Sequence, residues 1–199
     1  MKRIVTIQDI SCIGKCSLTV ALPIISATGI ETAIIPTTLL STHTAFEGYT
    51  FKDLSSEIPL IKKHWVNENF TFQSIYTGYL GNIAQIEMVK DFIKTFKNEK
   101  NLIIVDPAMA DNGQLYPGFD HKFVSKMKEL CKLADIIVPN LTEACLLLDL
   151  PYKKNYTQKE VESIIKKLSK ITKRPIITDI NIKNKMFYIS LILFVRNLS

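Results

Sequence analysis

The chain has 199 residues and a mass of 22.6 kDa, which suits one domain or most of a larger one. Apolar residues make up 47% and charged residues 22%, a composition that excludes extended disorder. The net charge of +6 is explained by a lysine-rich solvated surface, and no face interleaves aromatic with basic residues as nucleic-acid-binding proteins do.

Targeting signals and cysteine usage indicate the compartment. The first residues do not form a signal peptide, because Gln8 and Asp9 interrupt the apolar stretch. The apolar run 186–195 is too short for a bilayer, which takes about 20 residues. Cysteines stand at 12, 16, 131 and 145 without C-x-x-C spacing or neighbouring histidines, so reduced thiols are favoured over metal ligands or disulfides. We therefore expect a cytoplasmic protein with no membrane partner.

Strand and helix signals alternate along the chain. Short apolar runs predict strands at residues 3–8, 31–40, 72–77, 101–107, 135–140 and 174–180. Apolar residues spaced by three and four predict helices at residues 16–29, 55–69, 84–100, 121–134, 141–150 and 157–171. The last helix opens with Thr157 and Glu160 at capping-box spacing. Because the strands are continuous apolar runs, the pattern predicts an α/β fold: a doubly wound, mostly parallel sheet with helices on both faces.

Polar and small residues follow five of these strands. In open α/β sheets, ligands bind outside the carboxyl ends of the strands. The sequences at these exits are QDISCIG, STHTAFEG, TGYLGN, DPAMADNG and PNLTE. Together they predict a functional rim. No Walker pattern, no G-x-G-x-x-G and no G-x-S-x-G is present, which argues against a P-loop protein, a dinucleotide-binding oxidoreductase and an α/β-hydrolase.

Two acids, Asp106 and Glu143, stand at strand exits. Paired carboxylates facing a phosphate-binding crevice commonly hold Mg²⁺, often through water. Structural alternatives remain open: Asp106 before Pro107 suits a turn cap, and Glu143 suits a helix N-terminus. The structural alternative for His43 is a loop histidine whose hydrogen bonds are satisfied within the protein. The structural alternative for Tyr79 is a tyrosine that only packs.

Five segments together resemble the pyridoxal and pyridoxamine kinases of the ribokinase-like superfamily, which also holds the hydroxymethylpyrimidine kinases. These segments are SLTVALPIISATGI, LSTHTAFEGYTFKDL, IYTGYLG, DPAMADNGQLY and DIIVPNLTEA. They occur in family order from about Arg3 to about Thr178. Each segment alone is weak evidence, but the combination is specific.

The resemblance implies a function and a set of site residues. It implies ATP-dependent phosphorylation of the 5′-hydroxymethyl group of pyridoxal, pyridoxamine or pyridoxine, with ATP and Mg²⁺ as cofactors, in a homodimer. The vitamer would be bound by Asp9, Ser11, His43, Thr44, Ala45 and Tyr79. ATP would be bound by Asp106, Val138, Asn140, Glu143 and Thr178. Mg²⁺ would be held by Asp106 and Glu143. Hydroxymethylpyrimidine kinase activity, or vitamer binding without catalysis, is the alternative.

The chain departs from the kinase pattern at two places. Ala110 stands where the family usually has Gly, so its methyl group could crowd the loop. The family's G-x-G-D segment, which supplies the general-base Asp, is not found: the sequence has no glycine after Gly118, and Asp179 stands where a Gly is expected. We therefore expect an incomplete ribokinase-like domain over 1–178 and a non-matching tail over 179–199. We also expect that no catalytic residue is present and that turnover is negligible. The tail is predicted to be frameshifted or prematurely ended translation; a genuine final hairpin strand is the alternative.

Overall fold

The computed structural model of the chain describes residues 2–182 and 185–190. The chain divides into two compact units, residues 1–103 and 104–199, and the boundary falls inside the fifth strand. Parallel strand pairs predominate, and each unit adds an antiparallel strand. This arrangement confirms the predicted α/β class with a mostly parallel sheet.

The first unit is built around a central strand. Its elements are β1 (Arg3–Ser11), α1 (Leu18–Ala27), β2 (Glu31–Leu40), β3 (Phe51–Asp53), α2 (Glu57–Asn67), β4 (Ser74–Thr77), α3 (Ile83–Phe96) and the start of β5 (Leu102–Val105). The strand β1 pairs in parallel with β2 on one side and β4 on the other, and β3 pairs antiparallel to β2. The β1–β2 register shifts between Gln8 and Ile10, so that Thr37 and Thr38 stand opposite Asp9. Such bulges are common beside functional sites.

An aromatic cluster packs between α2 and α3 in the first unit. Phe92, fully buried on α3, has its ring centroid 6.2 Å from those of Trp65 and Phe72, and 4.6 Å from that of Phe96. Ile86 and Val89, earlier on the same helical face, are also fully buried. The predicted apolar face of this helix is therefore the face that packs inward.

The second unit contains the remaining elements. They are the end of β5, β6 (Ala110–Asp111), β7 (Gln114–Leu115), α4 (His121–Cys131), β8 (Ile136–Ile137), α5 (Leu141–Leu147), α6 (Gln158–Leu168), β9 (Arg174–Ile182) and β10 (Lys185–Ser190). The strand β8 pairs in parallel with β5 and β9, and β10 pairs antiparallel to β9. Helix α6 begins at the capping box predicted for Thr157 and Glu160. Within the described residues, none of the helices has the length and apolarity that crossing a bilayer requires.

Two strand segments were not predicted from the sequence. The strand β3 is only three residues long, and the β6–β7 hairpin turns through Asn112 and Gly113 at φ 49° and 81°. Asn-Gly with positive φ at both positions is the signature of a two-residue hairpin turn. The strand β10 corresponds to the final hairpin strand that was the alternative for the tail; it covers residues 186–190 of the apolar run 186–195, and residues 191–195 lie outside the described residues. The proposed boundary at 178 falls within β9, and the origin of residues 179–199 stays a prediction.

Asp179 adopts a backbone conformation that favours glycine. Its φ is 54°, and the β9–β10 ladder shifts register there. A left-handed conformation costs most L-residues roughly 1–2 kcal/mol, less for Asp, and glycine adopts it freely. We therefore expect Asp179→Gly to raise the free energy of unfolding by about 1 kcal/mol in urea denaturation. The control is Lys173→Gly, at an exposed position without positive φ, which should not stabilise. Destabilisation by Asp179→Gly would contradict the prediction.

Candidate active site

The first candidate residue, Asp9, is a buried acid near the end of β1. Its side chain is 3% exposed, and Oδ2 accepts a hydrogen bond from the Ser11 hydroxyl at 3.3 Å. The other oxygen, Oδ1, is buried and has no partner among the described residues. Burial raises the pKa of Asp9 above its ordinary value, opposed by the nearby hydroxyls of Ser17 and Ser11. Because buried polar atoms are nearly always paired, the unpaired oxygen suits a ligand donor or a bound water.

Two threonines accompany Asp9 on the neighbouring strands. Thr38 on β2 and Thr77 at the end of β4 are fully buried, and in the described part of the chain neither hydroxyl has a hydrogen-bond partner. Since β1 lies between β2 and β4, three unpaired oxygens come from three adjacent strands. Sequence analysis missed both threonines. Their only signal is a hydroxyl residue at a strand end next to a polar exit.

His43 lies in the loop between β2 and β3, against the loop 12–17 that follows β1. Its ring is 4.8 Å from that of Phe46, and its Nδ1 accepts a hydrogen bond from the Ala45 N–H at 3.3 Å. The proton of the neutral ring is therefore on Nε2. A Cβ at Gly14 would lie 3.0 Å from His43 Cδ2, so this glycine, at φ 129°, permits the close approach. Thr44 is half-buried in the same loop.

Tyr79 follows β4 and lies within electrostatic reach of Asp9. Burial raises its pKa to about 12, and the charges of Asp9 and Tyr49 add to the effect. Thr37 Oγ1 donates to the Tyr79 carbonyl at 3.3 Å. The preceding Gly78 has no room for a side chain, because a Cβ there would lie 2.9 Å from Gln8. All six residues predicted to bind the vitamer thus lie in the first unit. Among them, Asp9 is hydrogen-bonded to Ser11 and lies within electrostatic reach of Tyr79.

In the second unit, Glu143 is engaged by backbone donors. It is 2% exposed; Oε1 accepts from the N–H groups of Met109 at 3.0 Å and Ala110 at 3.4 Å, and Oε2 accepts from the Asn140 N–H at 2.9 Å. Burial raises the pKa of Glu143, helped by the charge of Asp106 and opposed by these three donors. Glu143 therefore holds the loop after β5 against the start of α5.

Asn140 and Thr142 extend the same attachment. Asn140 caps α5 by accepting the Glu143 N–H at 2.9 Å, and its Nδ2 donates to the Ala110 carbonyl at 2.8 Å. Thr142 Oγ1, a site that sequence analysis missed, accepts the Gly113 N–H at 3.0 Å. Ala110 is fully buried inside this network, so the chain accommodates its methyl group.

The other predicted nucleotide residues lie at strand ends of the second unit. The Val138 N–H donates to the Val105 carbonyl at 3.0 Å, and the Thr178 N–H donates to the Pro139 carbonyl at 2.9 Å. Thr178 is half-buried, with its Oγ1 3.4 Å from the same Pro139 oxygen.

Asp106 is the acid best placed to face a cation. Burial raises its pKa to about 7, although part of its surface stays accessible. No cluster of three or more acidic, His or Cys groups suited to a metal occurs in residues 2–182 and 185–190. With Glu143 occupied by backbone donors, Asp106 is the carboxyl that could hold a hydrated Mg²⁺, an ion that commonly keeps several of its waters. Glu143 would then act through water.

Comparisons with known proteins identify the class. Residues 24–186, which extend past Thr178, match the family model described as phosphomethylpyrimidine kinase. A Bacteroides thetaiotaomicron protein, provisionally named a phosphomethylpyrimidine kinase and crystallised with pyridoxal, is 42% identical with a TM-score of 0.88, covering 93% of this chain and 65% of that one. The pyridoxal kinase of Lactobacillus plantarum is 33% identical with a TM-score of 0.87, covering 96% of this chain and 68% of that one.

A curated relative is longer than this chain. A Schizosaccharomyces pombe protein, provisionally named a pyridoxal kinase, is 29% identical over 150 residues, which are 73% of this chain and 48% of the relative. The chain thus spans about half the length of this relative. Fold and comparisons together define a member of the ribokinase-like superfamily, whose matched relatives are named as kinases. Within it, the chain belongs to the phosphomethylpyrimidine kinase family and is similar to its pyridoxal kinases, which confirms the predicted resemblance.

Proposed function

We propose that the protein is a vitamin B6 kinase by descent, which binds pyridoxal, pyridoxamine or pyridoxine in its first unit. The observation that carries the proposal is the buried Asp9 carboxyl, whose Oδ1 has no hydrogen-bond partner among the described residues, with the unpaired hydroxyls of Thr38 and Thr77 on the strands to either side. A vitamer offers ring and substituent donors to such acceptors, and Tyr79 would supply an aromatic wall. This is the pairing of apolar slot and few polar anchors that small-molecule sites use.

The second unit is proposed to bind ATP. Phosphoryl transfer depends mainly on positioning and on neutralising phosphate charge. Asp106 would hold a hydrated Mg²⁺, which neutralises that charge, while Asn140, Thr142 and Glu143 keep the loop after β5 in place. Val138 and Thr178 would border the nucleotide. The acceptor is the 5′-hydroxymethyl group of the vitamer.

We infer that the 199-residue chain by itself binds without measurable turnover. A G-x-G-D segment, which would supply the general base, does not occur in its sequence. Pyridoxal binding without release of ADP would support this inference, and ADP formation at ordinary kinase rates would contradict it. Homodimer formation, implied by the same resemblance, stays a prediction.

The test is calorimetric binding of pyridoxal to the wild-type chain and to two variants. Asp9→Asn keeps the shape of the side chain and removes its charge, so we expect pyridoxal affinity to fall at least about ten-fold, the loss of one charged hydrogen bond. The control, Asp91→Asn, changes an exposed acid paired with Lys62 and should leave affinity unchanged. A wild-type chain that binds no vitamer, or equal affinities of wild type and Asp9→Asn, would reject the proposal.

The second candidate function is phosphorylation of a hydroxymethylpyrimidine, which the matching family model favours. An aminopyrimidine also offers N–H donors to Asp9. Titrating the same protein with 4-amino-5-hydroxymethyl-2-methylpyrimidine separates the two. Tighter binding of the pyrimidine than of all three vitamers would transfer the proposal to this substrate.

A further inference from the structure

Gln85, on the first turn of α3, is a fully buried amide that contacts three segments of the first unit. Its Oε1 accepts the Gly81 N–H at 2.8 Å. Its Nε2 lies 2.9 Å from the Thr37 carbonyl, 2.9 Å from Asp53 Oδ1 and 3.1 Å from Ser55 Oγ. A buried side chain with four partners from separate segments restrains all of them together.

The partners fix which way the amide points. Gly81 N–H is a donor, so it requires an oxygen, whereas the Thr37 carbonyl and the Asp53 carboxylate require a donor. Hydrogen bonds from Ser55, then Gln85 and Asn82, hold the pKa of Asp53 below its ordinary value, so this acceptor is ionised. Only a side chain with an acceptor and an adjacent donor satisfies the position.

The restrained segments are those that bear the candidate substrate residues. Thr37 on β2 and Asp53 at the end of β3 stand on either side of the 41–50 loop, which contains His43. Gly81 closes the segment that begins after β4 and contains Tyr79. Thr37 also donates through its hydroxyl to the Tyr79 carbonyl at 3.3 Å. Both walls of the proposed vitamer pocket are therefore attached to one amide.

We propose that Gln85 is a positioning residue for the aromatic substrate, holding the Tyr79 segment and the 41–50 loop in one fixed arrangement through its donor and acceptor. It contacts no substrate itself. The inference deepens the proposed function and rests on it for the identity of the ligand. The restraint of the two segments by Gln85 is independent of the proposed function.

The experiment compares three variants of the full chain at a temperature where each is folded. Gln85→Leu removes all four hydrogen bonds at similar volume. Gln85→Glu keeps the size and the acceptor for Gly81 but places a carboxylate against the Thr37 carbonyl and Asp53. The control is Asn101→Leu: Asn101 is 5% exposed beyond the other end of α3, and its amide joins Asn98 and Phe96 at 3.0 and 2.8 Å.

Two readouts are measured: pyridoxal affinity by calorimetry, and amide hydrogen exchange of residues 41–50 and 77–81. We expect both Gln85 variants to bind pyridoxal at least ten-fold more weakly and to exchange at least ten-fold faster in both segments. Asn101→Leu should lower the melting temperature but keep affinity within two-fold. If Gln85→Glu binds like wild type, or the control weakens binding equally, the positioning role is wrong.

The two proposals fail separately. If wild type binds no vitamer, the proposed function is rejected, and hydrogen exchange still decides whether Gln85 restrains the loops. If wild type binds pyridoxal and exchange in Gln85→Leu stays unchanged in both segments, the positioning role alone is rejected.

Discussion

Glu143→Ala is expected to lower the free energy of unfolding by about 4 kcal/mol, because it leaves buried N–H groups of Met109, Ala110 and Asn140 without an acceptor. Each unpaired buried donor costs about 1–3 kcal/mol, and relaxation of the loop recovers part of the total. Urea denaturation monitored by circular dichroism measures the change.

Glu160→Ala is the matched control. Glu160 occupies the same capping-box position on α6, and it too accepts the N–H of its cap residue, but it is only half-buried, and its further partner is the exposed Lys153, seven residues away in the chain. Its replacement should destabilise the chain far less. Equal losses for the two variants would show that Glu143 is an ordinary helix cap.

Asp106→Asn is expected to have the opposite effect on the ligand-free chain. Burial raises the pKa of Asp106 from 3.8 to about 7, so the folded chain retains a proton that the unfolded chain has lost. Stability from this group is fully present below about pH 4 and is lost as the pH rises to about 7, at up to about 1.4 kcal/mol per pH unit. Asparagine cannot ionise and escapes the loss.

The size and the pH dependence can both be measured. Because part of the Asp106 surface is accessible, we expect the variant to be about 2 kcal/mol more stable than wild type at pH 8, with no difference near pH 4. Mg²⁺ with ATP should stabilise wild type and not the variant. The control is Asp111→Asn, at an exposed acid on β6, which should not stabilise the chain at pH 8. A variant less stable than wild type at pH 8 would contradict the prediction.

These two acids show what the sequence reveals and what it hides. Both were predicted as a pair around Mg²⁺ from their places after strands. The sequence suited Glu143 to a helix N-terminus, where the structure shows its capping box with Asn140, but the donors from Met109 and Ala110 lie over thirty residues away. No local pattern shows that they reach Glu143. Physical roles that depend on distant backbone groups therefore appear only in the folded chain.

The regular elements were more accessible to prediction than the side-chain contacts. Apolar periodicity marked α3 and α6, and continuous apolar runs marked β1 and β5, because burial selects those residues directly. The short strand β3 has no buried residue, so nothing in its sequence distinguishes it from a loop. Gln85, Thr38 and Thr77 were missed for a different reason: whether a buried polar side chain has hydrogen-bond partners is decided by segments that are distant in the sequence.

The distribution of thiols allows selective chemical labelling of the loop 12–17, which follows β1. Cys12 is exposed and Cys16 half-buried on the loop that follows Asp9 and Ser11, while Cys131 and Cys145 are buried. Burial also raises the pKa of Cys131, so its thiolate, the form that reacts, is not available. A maleimide fluorophore would consequently label this loop on the unaltered protein. Binding of a vitamer at the proposed site could then be followed as protection of the loop from alkylation, without any engineered residue.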